Sequence, residues 1–191
     1  MEPVISECFS KFNRTERFLM LTINIPVYNI DARPLVLQLA EQARKLNAEV
    51  EIRVYDDGSD KKTKTLNREL GNQPGVIYAE LTQNLGRSAI RNKMAADSKF
   101  DNLLFIDADS KIVSGDFLKM YLDNAKVHPV LCGGTTYLSQ PPNNPEKLLR
   151  WIYGSKREAI PAERRNREKG FIITSNNFFI EKNLFLSTRF R

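Results

Sequence analysis

The stretch LLFIDAD at residues 103–109 ends an unbroken apolar run on two acids, Asp107 and Asp109. Two carboxylates spaced at i and i+2 just past a strand can share a divalent cation. Oxygen donors of this kind suit hard ions such as Mg2+ or Mn2+, which in turn neutralise phosphate. The rival reading is a loop with two solvated acids. The apolar run in front of the pair favours the metal reading, because ligands of parallel α/β sheets bind at the carboxyl ends of the strands. A second acidic strand end, VYDDGSD at 54–60, is by itself an ordinary Asp-Gly turn. Two such ends on one sheet edge crowd carboxylates that repel. A cation or a ligand donor group therefore belongs between them, and Asp57 has the chemistry to accept an N–H from a base such as uracil.

Two further stretches lie near these acids in the sequence pattern. NLGRSAIRNK at 84–93 sets Arg87 and Arg91 four residues apart on one helix face. They either meet a diphosphate or are surface charges paired with the acids. The start of that helix near Gly86 is a candidate anion site, and Asn84 is a candidate cap. IPVYN at 25–29 ends the first strand without a glycine-rich loop, which argues against a classical dehydrogenase or a P-loop nucleotide-binding fold.

The elements that must position these residues alternate along the chain. Strands are expected over 18–29, 48–60, 75–81, 102–110 and 130–138, and helices over 33–47, 86–98 and 115–125. Repeated strand, helix, strand predicts an α/β fold with a mostly parallel, Rossmann-like sheet and helices on both faces. After Leu138 the pattern changes to a turn-rich loop (139–147), a helix (148–160) and a charged stretch (161–170) expected to be mobile. A strand, a turn and the start of a helix complete it (171–186). Residues 1–17 read as an N-terminal arm, and 18–191 as one domain.

Composition sets wide bounds. The 191 residues suffice for one domain with a core. The net charge of +6 leans weakly towards anionic partners. Cys8 and Cys132 have no metal-ligand spacing and read as reduced thiols of a cytoplasmic protein. No apolar run reaches membrane-spanning length. Peripheral contact, at the inner face of the membrane, stays open. His128 precedes a proline and reads as a turn or surface residue.

INIPVYN, VYDDGSD, QNLGRSAIRN and FIDADS, in this order and at these distances, resemble the family 2 glycosyltransferases, inverting enzymes of the GT-A fold. The likeness covers residues 20–138 as a nucleotide-sugar-binding part, and TSNNFFIEKNLF at 174–185 resembles the start of the acceptor-side part at about 139–191. It implies that Pro26, Tyr28 and Asp57 hold the nucleotide base. Asn84, Gly86, Arg87 and Arg91 would complete the nucleotide-sugar site. Asp107 would lie near ribose and metal, and Asp109 would bind the Mn2+ or Mg2+ that bridges the diphosphate.

The implied partners are a nucleotide-sugar donor, most plainly a UDP-sugar, and a glycan or lipid-linked acceptor, as in polysaccharide biosynthesis. No nucleic acid is implied. Family members carry a further acidic pair beyond the SNN segment, whose Asp is the general base. That pair is expected beyond Arg191, so the catalytic base is not assigned. Of the acids towards the acceptor side, Glu163 and Glu168 lie in the charged stretch, and Glu181 opens a helix, where capping is the simpler role. The alternatives are a haloacid-dehalogenase-like phosphatase, which also places D-x-D after an apolar strand, and a non-catalytic nucleotide-sugar-binding fragment.

Overall fold

The computed structural model describes residues 20–167 and 174–191. The expected arm at 1–17 lies outside them. Strand β1 (Met20–Val27) is buried along nearly its whole length, as a central strand with both faces covered must be. Helix α1 (Arg33–Arg44) follows, with Pro34 in its first turn and Leu35, Val36, Leu39 and Ala40 on its buried face. Next come β2 (Glu49–Asp56), α2 (Lys61–Asn67), a 3-10 turn (Arg68–Asn72) and β3 (Val76–Glu80). Helix α3 (Arg87–Asp97) leads to the fully buried β4 (Asn102–Ile106), then α4 (Phe117–Ala125) and the short β5 (Val130–Cys132). The chain continues through α5 (Pro145–Arg157), α6 (Ala162–Arg167), β6 (Asn177–Glu181) and α7 (Lys182–Thr188).

The six strands form one sheet in the order β3-β2-β1-β4-β6-β5. The first four are parallel, as the alternation requires. β6 is antiparallel to β4, and β5 to β6. Helices α1 and α4 cover one face, packing Leu39, Leu118 and Leu122 onto Ile23, Ile25 and Leu104. On the other face Ile90 and Met94 of α3 and Phe185 of α7 pack onto Leu103, Phe105 and Phe178. Among the described residues no helix is long and apolar enough to cross a membrane.

Several elements differ from the sequence expectation. β5 stops at Cys132 instead of running to Leu138. A Cβ on Gly133 would fall 2.2 Å from the Asn177 side chain, so only glycine fits where the chain leaves β5 beside β6. The segment at 161–167 is largely helical. α2, which follows the expected second strand, is capped by Asp60, whose carboxylate accepts from the Thr63 N–H. Asn84 is not the cap of α3. Gly86 holds that position at φ +85°, with no side-chain cap bond.

Candidate functional site

The parallel strands β1, β2 and β4 deliver their carboxyl ends to one edge, and the loops there are tied to one another. Asn29, at φ +53°, donates its N–H to Ser59 Oγ at 2.8 Å. Its own side-chain oxygen accepts from the Asp60 N–H at 2.8 Å. Asp57 N–H donates to Val27 O. The turn after β1 and the turn after β2 are thereby locked together. No sequence signal singled out Asn29 and Ser59 for this, although both residue types favour such turns.

Asp56 and Asp57 take different environments. Asp56 is fully buried, and one of its oxygens accepts from Ser59 N–H at 2.7 Å. The other has no hydrogen-bond partner. Burial, followed by the negative charge of Asp56, pushes the Tyr78 phenol well above its ordinary range. Asp57 is 4% exposed, and its two oxygens accept from Leu85 N–H at 2.7 Å and Gly86 N–H at 3.0 Å. The anion at the start of α3 is thus the chain's own carboxylate, where the N–H groups and helix dipole favour negative charge. Each carboxylate oxygen keeps a second lone pair for a ligand donor.

Glycine makes this approach possible. A Cβ on Gly58, at φ +79°, would lie 2.7 Å from Asn84 N and 2.8 Å from Gln83 C. The DDGS turn and the backbone of 83–84 therefore touch, and only a residue without a side chain fits between them.

Arg91 is bound to an acid of the cleft. It is 4% exposed, and Nη2 donates to Asp107 Oδ1 in a tight ion pair, while Nη1 donates to Arg87 O at 2.9 Å. The pair is largely buried, not at the surface. Arg87 stays exposed. Asp107 N–H donates to Asn176 O at 2.9 Å, so the SNN segment borders the D-x-D turn through its backbone. Asn177 is held by the Tyr121 hydroxyl, 2.6 Å from its Oδ1. Burial raises the Tyr121 phenol above its ordinary range, which keeps it a neutral donor at neutral pH.

The nine residues that the resemblance assigns to donor and metal line one cleft of about 420 Å³. Pro26 and Tyr28 come from the end of β1, and Asp57 from the turn after β2. Asn84, Gly86, Arg87 and Arg91 belong to the start of α3, and Asp107 and Asp109 to the turn after β4. Val27, Ile30, Ile90 and Ala108 supply apolar wall. Asp109 is exposed at the rim. Among the described residues no cluster of three or more His, Cys, Asp or Glu side chains is arranged to hold a metal. The donor set is two carboxylates, one of them already paired with Arg91. That fits a hard cation which arrives with phosphate oxygens and keeps water ligands, not an all-protein cage.

Glu181 lies elsewhere. β6 runs antiparallel to β4, so Asn177 pairs with Ile106 at the cleft end and Glu181 pairs with Asn102 at the far end. At roughly 3.3 Å per residue, the four-residue step sets Glu181 about 13 Å from that edge. It occupies the N-cap position of α7 without a side-chain cap bond. Glu163 is an exposed residue of α6, and Glu168 falls outside the described residues.

A mostly parallel sheet, flanked by helices and carrying acids from two strand ends into one cleft, defines a GT-A-type architecture. Residues 22–185 match the family described as glycosyl transferase family 2, and the chain belongs to that family. A search of curated proteins gives no match. Solved structures agree on the fold. PcManGT, a mannosyltransferase from Pyrobaculum calidifontis in complex with GDP-Man and Mn2+, gives a TM-score of 0.59 at 16% identity. That alignment covers 90% of this chain and 47% of that one. TarS from S. aureus in complex with UDP gives 0.61 at 16% identity, covering 88% and 48%. Glucosyl-3-phosphoglycerate synthase from Mycobacterium tuberculosis, with Mn2+, UDP and glucosyl-3-phosphoglycerate, gives 0.55 at 14% identity, covering 92% and 63%. The chain spans about half the length of the first two. Membership of the family sets aside the phosphatase reading.

Proposed function

We propose that the cleft binds the nucleotide diphosphate of a sugar donor, a UDP-sugar in the first instance. The protein then acts in inverting transfer of that sugar to a hydroxyl acceptor. The observation that carries this reading is the convergence of nine residues, drawn from four sequence motifs, on one cleft at the carboxyl edge of the sheet. In this reading Asp57 orders the 84–86 backbone and turns its remaining lone pairs to the N–H of the base. Tyr28, about half exposed at the mouth, offers its ring as a face for the base. Arg87 brings positive charge to the phosphates. Arg91 fixes the carboxylate of Asp107 beside the ribose. A divalent cation held by Asp107 and Asp109 would neutralise the charge that develops on the departing diphosphate.

Each acid of the cleft then has a task on the donor side. Deprotonation of the acceptor hydroxyl falls to a group outside the cleft-lining set, and Glu181, at the far end of β6, does not supply it. The relatives named above bind uridine and guanosine nucleotides, which supports a nucleotide-sugar donor while leaving the choice of base to experiment. Calorimetric titration with UDP, GDP and ADP, each in Mn2+ and again in EDTA, tests the reading. It expects UDP to bind most tightly and to weaken in EDTA. Equal affinity for all three nucleotides, indifferent to EDTA, would overturn it.

A further inference from the structure

The strongest features outside the donor cleft converge on Phe190. Asn92 grips its backbone with both ends of one amide: Asn92 Nδ2 donates to Phe190 O at 2.9 Å, and Phe190 N–H donates to Asn92 Oδ1 at 3.0 Å. These partners stand 98 residues apart in sequence. The preceding residue, Arg189, sits at φ +47°, a conformation that a side chain disfavours and that persists only where the surroundings hold it. The turn it makes folds Phe190 back from the end of α7. The Phe190 ring then meets Phe178 and Phe185 edge-on, with centroids 6.1 and 5.7 Å away. It also lies 5.8 Å from the Arg91 guanidinium carbon.

Arg91 is thereby held from three directions. Asp107 takes one guanidinium nitrogen, Arg87 O takes another, and the Phe190 ring lies near the guanidinium. The third nitrogen, Nε, is buried without a hydrogen-bond partner. A buried N–H without a partner is costly and water would relieve it, so its exclusion from solvent reports how closely the neighbouring side chains enclose Arg91. Phe105 and Phe178, facing residues of β4 and β6, stack at 4.9 Å and join the same aromatic column to the strand that ends at Asp107.

We infer that Asn92 and Phe190 are positioning residues for the donor cleft. Asn92 pins Phe190, Phe190 seals and orients Arg91, and Arg91 holds Asp107, so the segment after β6 is mechanically tied to the nucleotide site. This rests on the donor-site reading for its consequence, though not for its geometry. The rival is that Phe190 is simply core. The two separate on ring against bulk: Phe190→Tyr keeps a π face over Arg91, whereas Phe190→Leu keeps apolar volume and loses that face.

Two measurements on the 191-residue chain decide between them. The first needs no ligand: exchange of the Arg91 Nε–H with water, followed by nitrogen-15 NMR. The second is UDP affinity in Mn2+. Phe190→Leu and Asn92→Ala are expected to speed the exchange by about tenfold and to weaken UDP by roughly fivefold or more, as for loss of a partly desolvated cation–π contact. Phe190→Tyr is expected to match the parent on both. Adding Phe190→Leu to Asp107→Asn should weaken UDP no further, because the route to the ligand is already cut. Parent-like exchange in the Leu and Ala variants overturns the proposal, and so does an equal loss of UDP affinity in the Asp107→Asn background. A parent chain that binds no UDP overturns the donor reading instead, and the exchange rates still decide whether Phe190 and Asn92 hold Arg91.

Discussion

Gly58 and Gly86 both take a positive φ and differ in their surroundings, which makes them a useful pair. Both have φ near +80°, at +79° and +85°. An alanine at either pays for the positive φ, about 1–3 kcal/mol, and Gly86, at ψ +165°, lies in a region that only glycine adopts readily. At Gly86 a Cβ meets nothing within 4 Å, so the penalty ends there. At Gly58 the Cβ falls 2.7 Å from Asn84 N and 2.8 Å from Gln83 C, backbone atoms with no rotamer to escape into. Forcing that contact costs about 1–3 kcal/mol more, by comparison with overpacked cores. The 83–86 backbone also has to retreat, which lengthens the bonds from Leu85 and Gly86 N–H to Asp57. Gly58→Ala is therefore expected to lose about 2–6 kcal/mol and Gly86→Ala about 1–3 kcal/mol. For a chain of this size that is a fall in Tm of about 12 °C against about 6 °C. Urea unfolding followed by circular dichroism reads the difference. Equal losses in the two variants would refute the close approach of the DDGS turn to residues 83–84.

The other expectations concern the acids. Asp57→Ala leaves two backbone N–H groups without their carboxylate, and bonds to charged groups contribute about 1.5–3 kcal/mol each. Stability should fall by roughly 3 kcal/mol or more, and any preference for UDP over ADP should narrow about tenfold; a variant that keeps the full preference clears Asp57 of base selection. Asp109 is exposed, so Asp109→Asn should change stability by less than about 0.5 kcal/mol while removing most of the Mn2+-dependent part of UDP affinity, and parent-like affinity would show that the wrong acid has been chosen. Glu158 is held below the usual carboxylate range, first by the Arg150 guanidinium and then by the Tyr137 hydroxyl. A depressed folded pKa contributes stability that is present above the unfolded value of about 4.3 and is lost as pH falls through the folded one. The urea midpoint of the parent should therefore fall below about pH 4.5, and Glu158→Gln should lack that part of the fall; superimposable profiles would remove the pair from the account.

Much of the architecture could be read in the sequence because the nucleotide-binding half is local in its logic. Each βαβ step is spelled by an apolar run, a turn and an amphipathic period, so β1 to β4 and α1, α3 and α4 fall close to their expected places. The acids at 57, 107 and 109 mark the strand ends for the same reason. What failed was non-local. β6 pairs with β4 across more than 70 residues, and nothing in NFFIE says that it enters the sheet antiparallel and displaces β5 to the edge. The charged stretch at 161–167 forms a helix whose Arg165 reaches the carbonyls of Cys132 and Gly133, contacts that no local pattern encodes. The ion pair of Arg91 with Asp107 joins two elements, and the spacing along the helix does not encode it. The local pattern of DDGS spells a turn, and only the arrival of residues 84–86 makes Asp57 the anion of a helix terminus.

The central claim is that one cleft, at the carboxyl edge of β1, β2 and β4, receives the nucleotide diphosphate. Backbone NMR of the labelled chain, titrated with UDP in the presence of Mg2+, tests it most directly, because the amides report where the ligand sits without requiring turnover. The account predicts shifts concentrated at Tyr28, Asp57, residues 84–91 and residues 107–109, absent from the far end of the sheet around Asn102 and Glu181, and reduced in Asp109→Asn. Shifts centred away from that cleft, or no saturable shift at all, would contradict it.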